Sequence, residues 1–224
     1  MASRENGRLG AGRQSRVKRT GLRRTVMTLG IMAVAATVLV FMETTWNEPP
    51  AAVDDTASVS YAVGAPGPGA EAPDFSLAST AGGTVNLSDY RGESVLLFFH
   101  EGIGCQPCWD QIRDLDAAQT ELQSAGVDQL LTITSGPVDL IAQKMTDDRL
   151  TAVALADTRL DVSVTYQTNK YGMMGESRNG HSFVLVGPTG EIEWRADYGG
   201  PPNYTMYVPV DEIVTQMQAG RTDA

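Results

Sequence analysis

Residues 94–112 read SVLLFFHEGIGCQPCWDQI. Ser94 to Phe99 is an apolar run of buried-strand length. The chain's two cysteines, Cys105 and Cys108, follow it, and behind them Ile112, Leu115 and Leu122 recur on one helical face. Pro107 suits a first helical turn and Gly126 a C-terminal stop, which predicts a helix over 107–125. A buried strand that runs straight into a cysteine-bearing helix must sit inside a layered α/β body, because both faces of such a strand need cover.

The flanking pattern extends that unit. Residues 74–77 and 84–87 flank Gly82-Gly83 and read as a hairpin, and 88–89 as the cap of a short helical turn. After the cysteines come a strand at 127–134, a helix at 137–147, a strand at 152–155 and a helix at 158–166. Residues 167–180 read as a loop. A second hairpin spans 182–186 and 191–196 across Pro188-Thr189-Gly190, and 210–218 closes the chain as a helix. The order implies a mixed β-sheet flanked by helices, with an N-terminal β-hairpin.

Two cysteines three positions apart serve as a staple, as half of a metal site or as a redox pair. A bridge across so short a loop stabilises weakly, since little loop-closure entropy is removed. Structural zinc needs about four ligands; the chain has two cysteines and two histidines, His100 and His181, and His100 falls at a strand end. Redox chemistry fits the placement. A thiol reacts as thiolate, and a helix N-terminus favours that anion. Cys105 stands just before the helix, where an attacking thiolate belongs. Cys108, one turn on beside Trp109 and Ile112, is the more buried and close enough to resolve a mixed disulfide. Pro107 stiffens the turn between them.

Charge and hydropathy divide the chain before this body begins. Residues 1–24 carry eight cations and one anion, while the remaining residues carry nine cations and 26 anions. The basic end alone would suit nucleic acid or anionic lipid, but the acidic body would be repelled by a phosphate backbone, so no nucleic-acid partner is expected. Val26 to Met42 is uncharged; at about 1.5 Å per residue it spans roughly 26 Å, close to the ~30 Å hydrocarbon core. Cations before it place the N-terminus in the cytoplasm and the body outside. The expected organisation is a basic cytoplasmic tail (1–24), a single transmembrane helix or signal segment (25–42), a flexible linker (43–72) and a globular domain (73–221). If the segment is cleaved as a signal peptide, the product is secreted. Either route delivers the cysteines to an oxidising compartment.

Phe75, the Gly-rich turn, Leu87-Ser88-Asp89, the strand SVLLFFH, the motif GCQPCW and the hairpin FVLVGPTGEI together resemble the thioredoxin-like superfamily. More narrowly they resemble its membrane-anchored, AhpC/TSA-related redoxins, which border the peroxiredoxins. The resemblance covers about residues 72–220. It implies a thiol–disulfide oxidoreductase in which Cys105 attacks and Cys108 resolves, with Gly104, Gln106, Pro107 and Trp109 supporting the redox loop. The redox group is the reversible Cys105–Cys108 disulfide itself. No flavin or nicotinamide fingerprint accompanies it, so no further cofactor is expected. The implied partners are protein thiols and disulfides, a membrane disulfide reductase as electron donor, and the lipid bilayer through residues 25–42.

The chain departs from its relatives in three places. The peroxiredoxin motif P-x-x-x-T-x-x-C would put proline at 98 and threonine at 102, where this chain has Phe98 and Gly102. A subgroup with F-Y-R-G-x-W-C-P-x-C aligns at Phe99, Gly102, Cys105 and Cys108, which keeps thiol peroxidase activity as an alternative, although Glu101 replaces its arginine. Thioredoxin-like proteins also place a cis-proline before the hairpin strand; that position falls on His181 or, with a one-residue slip, on Gly180. An imidazole there would stabilise the Cys105 thiolate as a cation or shuttle a proton to a leaving thiol. Glu101 is a second candidate for relaying a proton near Cys108. Copper-delivery proteins of this fold use two cysteines and a distal histidine, and Met173, Met174 and Met206 add soft sulfur, so a Cu(I) chaperone is a further alternative. Their cysteines are spaced C-x-x-x-C, one residue wider than here.

Overall fold

The computed structural model describes residues 58–221. The expected basic tail and transmembrane or signal segment, and residues 43–57 of the expected linker, lie outside them. Among the described residues no helix is long and apolar enough to cross a membrane.

The strand runs form β1 (Ser76–Ser79), β2 (Thr84–Asn86), β3 (Val95–His100), β4 (Gln129–Thr134), β5 (Val153–Ala156), β6 (Ser182–Val186) and β7 (Ile192–Asp197). They make one sheet in the order β2-β1-β5-β4-β3-β6-β7. Strands β3, β4 and β5 run parallel, while β6 and β7 on one side and β1 and β2 on the other run antiparallel. The helices are α1 (Gln106–Ala117), α2 (Gln119–Ser124), α3 (Val138–Asp147), α4 (Asp161–Thr165) and α5 (Val210–Gly220). This is a mixed sheet with flanking helices, as a thioredoxin-like fold requires.

Strand β3 explains why its sequence shows no alternation. All six residues are buried. Leu96 and Phe98 face one layer with Trp109, Ile112 and Leu115 of α1, Ile141 of α3 and Ile213 of α5. Leu97 and Phe99 face the other with Phe75, Leu87, Val162 and Tyr166. A strand covered on both faces has no polar side to show.

The helix expected over 107–125 is two helices. The backbone leaves α1 at Ala118, whose N–H is shared between the carbonyls of Asp114 and Leu115, a tightening common at helix ends. The helix expected at 158–166 starts at Asp161, because Leu160 takes a left-handed conformation with φ 61° and the buried Asp157 carboxylate accepts from the N–H and hydroxyl of Ser163.

Residues 58–72, assigned by composition to a flexible linker, are packed on β7. Ala62 and Asp197 exchange backbone hydrogen bonds of 2.8 and 3.0 Å, and Ala70, Gly69 and Ala72 bond to Ile192 and Gly190. The physical reason is a buried ion pair that composition does not reveal. Arg195 and Asp197 share one face of β7 and are both fully buried, with Nε–Oδ2 at 2.8 Å and Nη2–Oδ1 at 3.0 Å. The N-terminal segment completes their hydrogen bonding: Pro66 O accepts from Arg195 Nη1, and Gly64 N–H donates to Asp197 Oδ2. Its prolines and glycines follow the strand without needing a hydrophobic period.

Removing one member of a buried pair strands the other charge. Asp197→Ala is therefore expected to destabilise the domain by about 3–5 kcal/mol, read from urea midpoints. A loss below about 1 kcal/mol would show that the pair is not what holds this edge.

Candidate active site

The loop between β3 and α1 carries the cysteines to the C-terminal end of the parallel strands. Cys105 and Cys108 are joined as a disulfide with Cα atoms 5.4 Å apart. Cys105 is the N-cap of α1, and its sulfur accepts the Cys108 N–H at 3.3 Å. Cys108 is completely buried and Cys105 is 7% exposed. Cys108 is thus the more buried of the two, as expected.

The supporting residues divide. Trp109 is buried, donates its indole N–H to Gly102 O at 3.1 Å and lies under the Lys144 ammonium at 5.5 Å, so it ties α1 to the redox loop. Pro107 occupies the first turn of α1, where its missing N–H costs nothing. Gln106 points outward and bonds Asp110 at 3.1 Å. Gly104 has open space where a side chain would stand, so the fold does not demand glycine there.

Gly102 is demanded. Its φ is +93°, and a Cβ would lie 2.7 Å from Thr134 Oγ1 and 3.1 Å from Ser135 O. A threonine, β-branched and poorly suited to positive φ, has neither the conformation nor the space. The departure from the peroxiredoxin motif is therefore built into the backbone. The missing cis-proline has a similar cause. A Cβ at Gly180 would collide with the Tyr171 carbonyl, and the His181 N–H donates to that same carbonyl at 2.8 Å. Proline fits neither position.

His181 is fully buried beside the same layer. Its ring stands edge-on to Phe98 at 4.9 Å and near Phe183 at 5.6 Å. Extending the antiparallel register of β3 and β6, in which Phe99 faces Ser182, sets His100 opposite His181. His100 is also fully buried, stacked on Phe98 at 5.3 Å and edge-on to Trp109 at 5.3 Å. Among the described residues none of the four ring nitrogens has a hydrogen-bond partner. Burial pushes both imidazoles down to about 3, and a charge on His100 would further oppose one on His181. Both are neutral at pH 7. At pH 7 a ring so lowered carries no charge and takes up a proton poorly, so the burial favours neither role expected for His181. The pairing with His100 was not visible in sequence, where the two lie in separate strands.

Glu101 is buried and otherwise engaged. Its Oε1 accepts the N–H groups of Met173 at 2.5 Å and Met174 at 3.1 Å, and Arg178 reaches its backbone carbonyl at 3.4 Å. It anchors the 171–179 loop; use as a proton relay would compete with those bonds. Met173 and Met174 themselves are 59% exposed. Met206 is the residue whose position sequence did not foresee: it packs with Cys105 and Cys108 in a three-residue cluster separate from both core layers. Among the described residues no three His, Cys, Asp or Glu side chains gather as a metal site.

Comparison with known proteins agrees with this geometry. The AhpC/TSA family model matches residues 68–195, more than half of the chain. Peroxiredoxin Bcp of Escherichia coli K12 is 33% identical over 129 residues, which cover 54% of this chain and 80% of that protein. Among solved structures, Peroxidoxin BcpB from Mycobacterium tuberculosis superimposes with a TM-score of 0.56 at 18% identity, covering 70% of this chain and 99% of that one. A Chlorobium tepidum protein described as a thiol:disulfide interchange protein of DsbE type gives 0.52 at 19% identity, covering 70% and 96%. Both likenesses show the thioredoxin-like fold.

Proposed function

This chain belongs to the AhpC/TSA family of redoxin thiol oxidoreductases, and we propose that within it the protein is an extracytoplasmic thiol–disulfide oxidoreductase tethered to the membrane. The observation that carries the reading is the closed Cys105–Cys108 bond at the N-terminus of α1, with Cys108 completely buried and Cys105 retaining 7% exposure. In the reduced state the Cys105 thiolate attacks a partner disulfide. A mixed disulfide forms and the partner's second sulfur leaves as a thiolate. Cys108 then attacks Cys105 Sγ, the intramolecular disulfide closes, and the partner is released as a dithiol. A membrane disulfide reductase returns the two electrons. Gly102, in the place of the threonine that frames peroxide, favours disulfides over peroxides as substrates.

The specific observation behind a second reading, thiol peroxidase, is the 33% identity to a peroxiredoxin. In that reaction the Cys105 thiolate takes one oxygen from a hydroperoxide and becomes a sulfenic acid; Cys108 displaces water from it to form the same disulfide.

One pair of assays separates the two. The reduced protein is expected to reduce insulin disulfides catalytically with a thiol donor and to consume hydrogen peroxide only slowly. Rapid peroxide consumption, one equivalent per Cys105–Cys108 pair, without insulin reduction would replace the first reading by the second. The tether follows from the uncharged run 26–42 behind eight cations. In intact cells treated with a permeant reductant, a membrane-impermeant maleimide should label Cys105; labelling only after lysis would place the domain inside.

A further inference from the structure

Cys105 is 7% exposed and Cys108 not at all, so something covers the pair. Helix α1 covers one side. Met206, on the segment that joins β7 to α5, forms a buried cluster with both cysteines. This segment is held down at several points. Tyr198 and Gly199 N–H groups donate to His181 O at 2.9 and 3.1 Å, and Thr205 N–H returns to Tyr198 O at 3.1 Å. On the far side of Met206, Tyr207 donates its hydroxyl to Asp114 Oδ2 at 2.5 Å, and the buried Val208 N–H donates to Gln111 Oε1 at 2.8 Å. Asp114 and Gln111 lie on α1, the helix that carries Cys108. The helix bearing the redox pair therefore clamps the strap that covers it. Tyr204 and Tyr207, on either side of Met206, are exposed, as is Ile103 next to the redox loop.

We propose that Met206, held by this strap, is a specificity-determining gate: it admits a narrow thiol, such as a low-molecular-weight thiol or a cysteine on an extended peptide, and holds off a cysteine presented by a folded domain. The inference rests on the reading of Cys105–Cys108 as a thiol-exchanging pair. Attack occurs at Cys105 Sγ, along the line of the S–S bond. The incoming thiolate forms a bond to that sulfur, the Cys105–Cys108 bond breaks, and its electron pair leaves on Cys108 Sγ. A second thiol completes the reduction, so two thiols become one disulfide and the protein gains two thiols. The Met206 side chain, packed with the two cysteines, narrows the approach to Cys105 Sγ and so holds off a wide partner. Methionine suits the position, being flexible enough to yield to a thin entrant.

The test measures second-order rates for reducing the oxidised protein with dithiothreitol, with an extended cysteine-containing peptide, and with a folded thioredoxin. Met206→Ala is expected to raise the thioredoxin rate about tenfold while changing the dithiothreitol and peptide rates less than about twofold; Met206→Leu should restore the original ratio. A ratio of thioredoxin to dithiothreitol rates that Met206→Ala leaves unchanged overturns the gate, whether or not the rates themselves move. If Met206→Ala does not fold, Tyr207→Phe, which removes only the bond to Asp114, takes its place and must shift the ratio in the same direction. A peptide slowed as much as thioredoxin would also overturn it. These are single-encounter rates, so they stand apart from insulin or peroxide turnover. No reduction by dithiothreitol at all would sink both the gate and the thiol-exchange reading.

Discussion

Cys105→Ser is expected to reduce thiol–disulfide exchange to the uncatalysed background, whereas Cys108→Ser is expected to block turnover yet still attack and accumulate the mixed disulfide. The two outcomes differ because the two sulfurs are not equivalent. Cys105 is the N-cap of α1 and the less buried member, and its sulfur accepts the Cys108 N–H at 3.3 Å. Unpaired N–H groups and the partial positive charge of the helix N-terminus favour a thiolate there. A serine hydroxyl stays protonated at neutral pH and has no comparable nucleophilicity. Cys108 is enclosed and serves only the sulfur next to it. Mass spectrometry of each variant after incubation with a disulfide-bonded peptide checks the assignment. An adduct on Cys108 in the Cys105→Ser protein, in place of one on Cys105 in the Cys108→Ser protein, would reverse the roles.

The second large effect is on stability in acid. His100 and His181 are fully buried and lowered from the ordinary 6.5 to about 3, in both cases chiefly because burial disfavours the charged ring. The folded state therefore refuses protons that the unfolded chain accepts. Stability contributed by this difference is fully present above about pH 6.5 and is lost progressively as pH falls toward about 3. At 1.36 kcal/mol per pH unit, lowering the pH from 7.5 to 5 removes roughly 2 kcal/mol per histidine, about 4 for the pair. Urea unfolding of the wild type and of His100→Phe/His181→Phe over that range isolates the contribution, since carboxylates act equally in both proteins. The double variant is expected to keep its stability between pH 7.5 and 5 to within about 1 kcal/mol of the change that remains once the pair's 4 is subtracted. Parallel curves for the two proteins would show that the histidines do not set the acid limit. The loss would strike near the redox pair, because His100 stands edge-on to Trp109, the residue after Cys108.

The alternatives raised by composition fare unequally against the packing. The net acidic charge beyond residue 24 would be repelled by a phosphate backbone. The methionines considered as soft ligands separate: Met173 and Met174 stand out in solvent on the loop that Glu101 anchors, while Met206 alone reaches the cysteines. A copper reading would thus rest on Cys105, Cys108 and Met206, with His181 held among aromatic rings.

What the sequence determined by itself is what short-range chain geometry controls. The apolar run 94–99, Pro107 and the recurrence of Ile112, Leu115 and Leu122 placed a buried strand, a cysteine turn and a helix in order, and with them the two neighbouring sulfurs. Both hairpins were legible for the same reason, since a strand and its turn announce themselves within a dozen residues. The tertiary structure decided everything that depends on which distant segments meet. Cross-strand register between β3 and β6 brings His100 opposite His181 and buries both, which keeps both rings neutral at pH 7. The Arg195–Asp197 pair draws residues 58–72 out of the expected linker and onto β7. The bond of Gln111 to Val208 sets Met206 on the disulfide. Charge state and access follow from burial, and burial is a property of the assembled layers rather than of any stretch of chain.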